Sequence, residues 1–164
     1  MENKWPSILI GALAYALLSL VISFLGMTGA AAGIVGCLVP FVSGLVATWH
    51  YASTYRVTLT PGSGAGMGAL AGVIGAVIGG VLVLLLVSAG ILPDPMELAR
   101  EQLESQGMSE EQLEQAMGMA EMFSNPVLGL VIGAVFGAIL GAISGLLGAV
   151  FFKKGEADAD LDGY

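Results

Sequence analysis

The hydrophobic pattern divides the chain into four long apolar stretches separated by more polar segments. The stretches cover about residues 8–25, 30–49, 67–92 and 127–152, and none of them contains a charged side chain. A helix needs roughly 20 apolar residues to cross the hydrocarbon core of a bilayer, and each stretch is close to that length or longer. The pattern therefore predicts four transmembrane helices in an all-α bundle.

A secretory signal peptide is the alternative interpretation of the first stretch. Lys4 precedes the stretch, and the alanines at 30–32 resemble the small residues of a cleavage site. The apolar part of a signal peptide usually spans about 7–15 residues, however, and residues 8–25 exceed that length. We therefore favour a retained first span.

Glycine recurs along the last two stretches at spacings that place it on one side of a helix. Small residues at such positions let two helices approach closely in lipid, where the backbone must satisfy its own hydrogen bonds. The predicted helix-packing residues are Gly68, Gly72, Gly75, Gly79, Gly129, Gly133, Gly137, Gly141 and Gly145. We interpret these stretches as glycine zippers that pack on each other within one chain. Contact between copies of the chain, and the lining of a pore, are the alternatives.

The segment between the third and fourth stretches has the pattern of a helical hairpin. Asp94 precedes Pro95 as a helix cap precedes its first residue, and Gly107 provides a stop. Residues 109–112 read Ser-Glu-Glu-Gln, a capping box that begins a second helix. Apolar residues then recur at helical spacing, as Leu113, Ala116, Met117, Ala120 and Phe123. We predict an acidic helical hairpin at 93–126, outside the bilayer.

This hairpin is the expected recognition surface for a protein partner. Its excess of acidic side chains disfavours adhesion to anionic lipid, so we prefer mutual packing of the two helices or contact with another protein. The predicted contact residues are Glu97, Glu101, Glu104, Leu113 and Met117.

The positive charges predict the orientation in the membrane. Lys4, Arg56, Lys153 and Lys154 fall on one side of a four-span topology, and only Arg100 falls on the other. Loops rich in Lys and Arg stay in the cytoplasm. Both termini and a polar loop at 50–66 are therefore predicted to be cytoplasmic.

Composition restricts the chemistry that the chain can perform. Hydrophobic residues make up 56% and charged residues 11% of the 164, and the net charge is −8. Soluble domains carry about a quarter charged residues, and nucleic-acid binding needs clustered Lys and Arg. We therefore expect the lipid bilayer as a partner and no nucleic acid.

Candidate metal sites are incomplete. The hairpin carboxylates could together hold a hard cation, but no Asp-rich loop accompanies them. Residues 158–163 read D-x-D-x-D-G without the Glu that completes a calcium loop, so we interpret 155–164 as a disordered acidic tail. His50 is the one histidine and has no second ligand nearby in sequence. No catalytic, cofactor or metal residues are therefore assigned, and we expect no enzyme.

The hairpin sequence resembles a family. The run from Pro93 to Met96, and Gly-Met-Ser-Glu-Glu-Gln at 107–112, are similar to the uncharacterised bacterial membrane family named domain of unknown function 4199. The similarity is most specific over 90–126, and is compositional over 60–90 and 127–152. It implies a four-span protein of the bacterial inner membrane and supplies no catalytic or binding residues.

These observations together predict a non-enzymatic structural or interaction protein. It would act as an accessory subunit or scaffold, in a homo-oligomer or a larger membrane complex. A small channel formed by an oligomer is the alternative, with Pro40 and the glycine-rich helices giving mobility. The spans contain no Asp, Glu, Lys or Arg, which are the residues that usually mark ion paths.

Overall fold

The computed structural model describes residues 3–25, 29–123 and 125–152. These described residues form six helices: α1 (Trp5–Phe24), α2 (Gly29–Tyr55), α3 (Pro61–Ser88), α4 (Pro95–Ser105), α5 (Glu110–Phe123) and α6 (Pro126–Phe151). The described residues form no strand. Four helices are long and apolar enough to cross a membrane, namely α1, the Ile34–Tyr55 part of α2, α3 and α6. The all-α fold class and the four spans are confirmed. The predicted tail at 155–164 lies outside the described residues.

The prediction of a polar loop at 50–66 is wrong for most of that segment. Helix α2 continues to Tyr55 and α3 already begins at Pro61, so only residues 56–60 connect them. Tyr51 and Leu59 are buried in a core cluster with residues of α1 and α3, which explains why this polar-looking segment stays ordered. Thr60 caps α3 by accepting a hydrogen bond from the Ser63 amide.

The third span also ends earlier than predicted. Helix α3 stops at Ser88, four residues before the predicted end at Leu92. Gly90 follows with a φ of 71°, in the left-handed region that glycine adopts without strain. The chain then turns towards α4.

The four long helices pack with α2 and α3 in the middle. Helix α3 contacts α1, α2 and α6, and its most extensive contact is with α6. Helix α2 contacts α1 and α6 as well. Because the chain alternates in direction, α1 begins and α6 ends at one end of the bundle, here called the terminal end. The other end, where α3 leads into α4, is called the hairpin end.

The fully buried residues of this bundle are small, and most of the large apolar side chains point outwards. Ala12, Ala47 and Ala71 are fully buried, whereas Val127 is 69% exposed and Phe151 is 71% exposed. A water-soluble bundle would bury its largest apolar side chains. The distribution seen here suits helices that meet each other through small residues and meet lipid through large ones.

Both hairpin helices begin as the sequence predicts. The Asp94 carboxylate accepts a hydrogen bond of 2.8 Å from the Met96 amide at the start of α4. The Ser109 hydroxyl accepts one from the Gln112 amide, and the Gln112 side chain accepts one from the Ser109 amide, which completes the capping box. Gly107, with a φ of 69°, lies in the turn between the two helices. Helices α4 and α5 contact each other.

Candidate functional site: the glycine interface and the adjacent cleft

The contact between α3 and α6 is made by glycines that face one another. Gly64, Gly68 and Gly72 of α3 lie against Gly145, Gly141 and Gly137 of α6, in that order. A Cβ atom added to any of these six residues would lie under 3.0 Å from a backbone carbonyl oxygen of the facing helix. Real Cβ atoms do not come that close to a backbone oxygen. The two helices therefore touch backbone to backbone.

This contact ends towards the hairpin end because α3 does not continue its repeat. The next position of the series on α3 is Ala76, whose methyl group lies 3.4 Å from a Cβ added to Gly137. Beyond it, Gly133 has no atom within 4 Å of an added Cβ, and the Leu130 side chain packs over Gly80. The two backbones separate from this point onwards.

The predicted glycine surface of α3 is divided between two partners. Gly75 lies against Tyr15 and Ala12 of α1, and a Cβ added to Gly79 would lie 3.5 Å from Ala16 and Ser19. The structure therefore brings Gly68, Gly72, Gly137, Gly141 and Gly145 together at the α3–α6 contact. It places Gly75 and Gly79 against α1 instead. Gly129 and Gly133 border an open cleft.

Helix α2 approaches α6 through further glycines that the sequence did not single out for contact. A Cβ on Gly44 would collide with the Ser144 hydroxyl and the Gly141 carbonyl, and one on Gly148 would collide with Thr48. The Gly141 carbonyl is thus approached by both Gly44 and Gly68, so α2, α3 and α6 meet there. Isolated glycines are common in membrane helices. No spacing pattern therefore distinguished these positions.

The buried hydroxyl groups bond mainly to their own helices. Thr48 donates to the carbonyls of Gly44 and Leu45, and Ser144 donates to the carbonyl of Gly141, at 2.9–3.0 Å. The Ser43 hydroxyl is fully buried without a partner among the described residues. Local bonds of this kind satisfy a hydroxyl within a membrane helix without forming a route for a solute.

A cleft of about 580 Å³ opens at the hairpin end of the bundle, between α1, α3 and α6. Its walls are mostly apolar or glycine, and its polar residues come from α1 and from the starts of α4 and α6. The lining residues are Tyr15, Ser19, Ala76, Gly79, Gly80, Val83, Leu84, Val87, Asp94, Met96, Asn125, Pro126, Gly129, Leu130 and Gly133. The sequence did not predict this cleft, because no local pattern shows where two helices separate.

The predicted recognition residues of the hairpin differ in exposure. Glu97, Glu101 and Glu104 are exposed on α4, and Glu104 forms a salt bridge of 2.8 Å with Arg100. Leu113 and Met117 are half-buried on α5, which contacts α4. The acidic side chains therefore form the accessible part of this surface.

At the terminal end, polar side chains connect the starts and ends of helices. The Ser7 hydroxyl and Nδ1 of His50 lie 2.9 Å apart, in hydrogen-bond contact, and Lys4 donates to the Ser63 hydroxyl. His50 thus has a partner that the sequence did not predict. Among the residues that the structure describes, no group of three or more His, Cys, Asp or Glu side chains could hold a metal ion.

Four membrane-length helices with a small-residue core and a large apolar exterior define a multi-pass, all-α membrane protein. The chain belongs to the family described as "Protein of unknown function (DUF4199)", whose model matches residues 9–154. The match extends well beyond the 90–126 segment, where the sequence resemblance is most specific. Comparison with curated proteins and with solved structures gives no significant match.

Proposed function

We propose that this protein is a non-enzymatic interaction protein of a bacterial inner membrane, acting as an accessory subunit or scaffold. The glycine-packed long helices hold the acidic hairpin, and the hairpin recognises the partner. The observation that carries the proposal is the placement of α4 and α5. They pack on each other, and their main contact with the long helices is that of α5 with α6. Among the described hairpin residues, the acidic side chains Glu97, Glu101 and Glu104 are exposed and accessible to a partner.

The use of the glycines favours this proposal over a channel. Gly68, Gly72, Gly137, Gly141 and Gly145 contact one another inside one chain. Glycine faces that are already paired cannot also line a pore between copies. The glycine contact then serves to hold α3 and α6 together within one chain, and these two helices carry the hairpin between them.

The acidic face of α4 defines the chemistry of the partner. Helix α4 carries three exposed glutamates, Glu97, Glu101 and Glu104, and one basic residue, Arg100, which pairs with Glu104. Such a surface suits a partner with exposed Lys or Arg, because charge complementarity steers association and suppresses wrong partners. A second copy of the same hairpin would be repelled.

Loss of the partner on charge reversal tests this proposal. The double substitution Glu97→Lys and Glu101→Lys should reduce the recovered complex by about tenfold, since like charges across an interface cost several kcal/mol. The complex is extracted in polymer nanodiscs from native membranes and weighed by native mass spectrometry. Glu111→Lys with Glu114→Lys, on α5, is the matched control and should retain the partner. The proposal would be contradicted if the unaltered chain were recovered only at the mass of a monomer. Ion flux into liposomes that contain the unaltered chain would also contradict it.

The orientation is a separate prediction with both termini in the cytoplasm. In a Cys37→Ser background, Ser105→Cys on α4 should react with a membrane-impermeant maleimide in intact spheroplasts. Thr58→Cys, in the 56–60 connection, should react only after the membrane is permeabilised. Ser105 and Thr58 are both exposed, so a difference in labelling would report the side of the membrane and not burial within the protein. The reverse pattern would place the hairpin in the cytoplasm.

A further inference from the structure

The cleft at the hairpin end has the size and position of a ligand site. Its volume of about 580 Å³ lies within the range of roughly 300–1,000 Å³ that small-molecule pockets occupy. Its walls belong to three membrane-length helices, α1, α3 and α6, so it lies beside the lipid that surrounds the bundle. A molecule dissolved in the membrane can therefore reach it.

The polarity of the cleft changes along its length. The part nearest the bundle centre is uncharged and is lined by Ala76, Gly79 and Gly133, together with Tyr15 and Ser19 of α1. The Ser19 hydroxyl beside Gly79 donates to the Tyr15 carbonyl of its own helix. The mouth is lined by Asp94 and Asn125, which are the caps of α4 and α6. The gradient matches an amphipathic molecule whose hydrocarbon part points into the bundle and whose polar part lies at the hairpin end.

The charges at the mouth restrict the polar part of this molecule. Among the described residues no Lys or Arg lines the cleft, and Asp94 provides a carboxylate that is exposed apart from its bond to the Met96 amide. The surrounding hairpin is strongly acidic. An anionic headgroup would be repelled, whereas a headgroup with an ammonium group would be attracted. The start of α6 is capped by the neutral Asn125 and carries the positive end of a helix dipole, which suits the phosphate of a zwitterionic lipid.

We propose that the cleft binds one phospholipid with an ammonium headgroup, such as phosphatidylethanolamine. One acyl chain lies in the cleft against Gly133 and Leu130, beyond the point where the backbones of α3 and α6 separate. The ammonium group lies beside Asp94. The lipid fills the gap between α1, α3 and α6 directly beneath the hairpin, and so links the membrane to the predicted recognition surface.

Photolabelling with a phosphatidylethanolamine that carries a diazirine in one acyl chain tests the proposal. The full-length protein is placed in nanodiscs with this probe, irradiated, digested and sequenced by mass spectrometry. We expect labels to concentrate on Val83, Leu84 and Leu130. Unlabelled phosphatidylethanolamine should compete about tenfold better than phosphatidylglycerol, a difference of about 1.4 kcal/mol in binding free energy. Labels spread evenly over outward residues such as Val131 and Phe136 would overturn the proposal.

Filling the cleft with a side chain provides the matched test. Gly133 lines the cleft and Gly66 lies on α3 away from it, and neither has an atom within 4 Å of an added Cβ. Gly133→Phe should lower cleft labelling by about tenfold, whereas Gly66→Phe should leave it unchanged. Thermal unfolding of both variants serves as the control and should show that the bundle is retained. Equal labelling of the two variants would overturn the proposal, as would chain-to-chain crosslinks at Leu130 in place of lipid adducts.

The role of the carboxylate is tested separately. Asp94→Asn retains a side chain that caps α4, because Asn and Asp are comparable helix caps. It should abolish the preference for phosphatidylethanolamine over phosphatidylglycerol. Glu97→Gln removes a neighbouring charge that does not line the cleft and should keep the preference. A preference that survives Asp94→Asn would overturn the assignment of an ammonium headgroup.

Discussion

Replacing Gly68 by alanine is expected to destabilise the bundle, although the same change at Gly66, two residues earlier on α3, is expected to be neutral or stabilising. The Cβ that alanine adds at position 68 would meet the carbonyl oxygen and carbon of Gly141 and the Cα of Gly145. All three are backbone atoms that cannot rotate away. The two helices must separate, and the neighbouring contacts at Gly64 and Gly72 weaken with them. Overpacking of this kind costs about 1–3 kcal/mol.

The comparison with Gly66→Ala removes the effect of helix propensity. Alanine is favoured over glycine in a helix by about 1 kcal/mol, and Gly66 has no atom within 4 Å of an added Cβ. We expect the midpoint of thermal unfolding in detergent to fall by about 5 °C for Gly68→Ala and to stay or rise for Gly66→Ala. Equal midpoints would show that the α3–α6 contact is looser than the structure indicates.

The second large effect is expected at Gly44, where α2 meets α6. A side chain there would collide with the Ser144 hydroxyl and the Gly141 carbonyl. Leucine is too large to be accommodated by a small shift, so Gly44→Leu should displace α2 from the bundle. We expect a loss of about 3 kcal/mol or more, at the upper end of the range for overpacked cores. Size-exclusion chromatography should then show aggregated protein, and limited proteolysis should cut α2.

Gly36→Leu is the matched control for this substitution. Gly36 lies on the same helix, eight residues earlier, and is exposed with no atom within 4 Å of an added Cβ. The added leucine would face outwards like Ile34 and Leu38. We expect monodisperse protein with an unchanged unfolding midpoint. A folded Gly44→Leu variant with the same midpoint would contradict the close approach of α2 and α6.

The parts of this fold that follow from local pattern could be predicted from sequence. Four uncharged stretches predict four spans, and short-range cap residues such as Asp94 and Ser109 fix where the hairpin helices begin. The connection at 50–66 could not be predicted, because its polar and aromatic residues are equally compatible with a helix end. Burial of Tyr51 and Leu59 depends on distant residues of α1 and α3, which no local pattern contains.

Periodicity shows which residues share a helix face, but not which neighbour that face contacts. Gly72 and Gly75 are three residues apart, yet Gly72 lies against α6 and Gly75 lies against α1. Both neighbours present small residues, so the sequence offers no basis for choosing. The cleft was missed for a related reason. It begins where Ala76 interrupts the glycine series of α3. A hydrophobic pattern does not distinguish alanine from glycine at a single position, so it does not show this interruption.

The equal spacing of glycines on α3 and α6 makes more than one alignment of these helices sterically acceptable. Sliding one helix past the other by four residues, about 6 Å, would face Gly64, Gly68 and Gly72 with Gly141, Gly137 and Gly133. The glycines therefore permit close approach without selecting the register. The selection comes from side chains that do not repeat, chiefly Thr48 against Gly148 and Leu130 over Gly80. Helix α2 therefore helps to fix the register of α3 against α6, which the evenly spaced glycines alone would leave open.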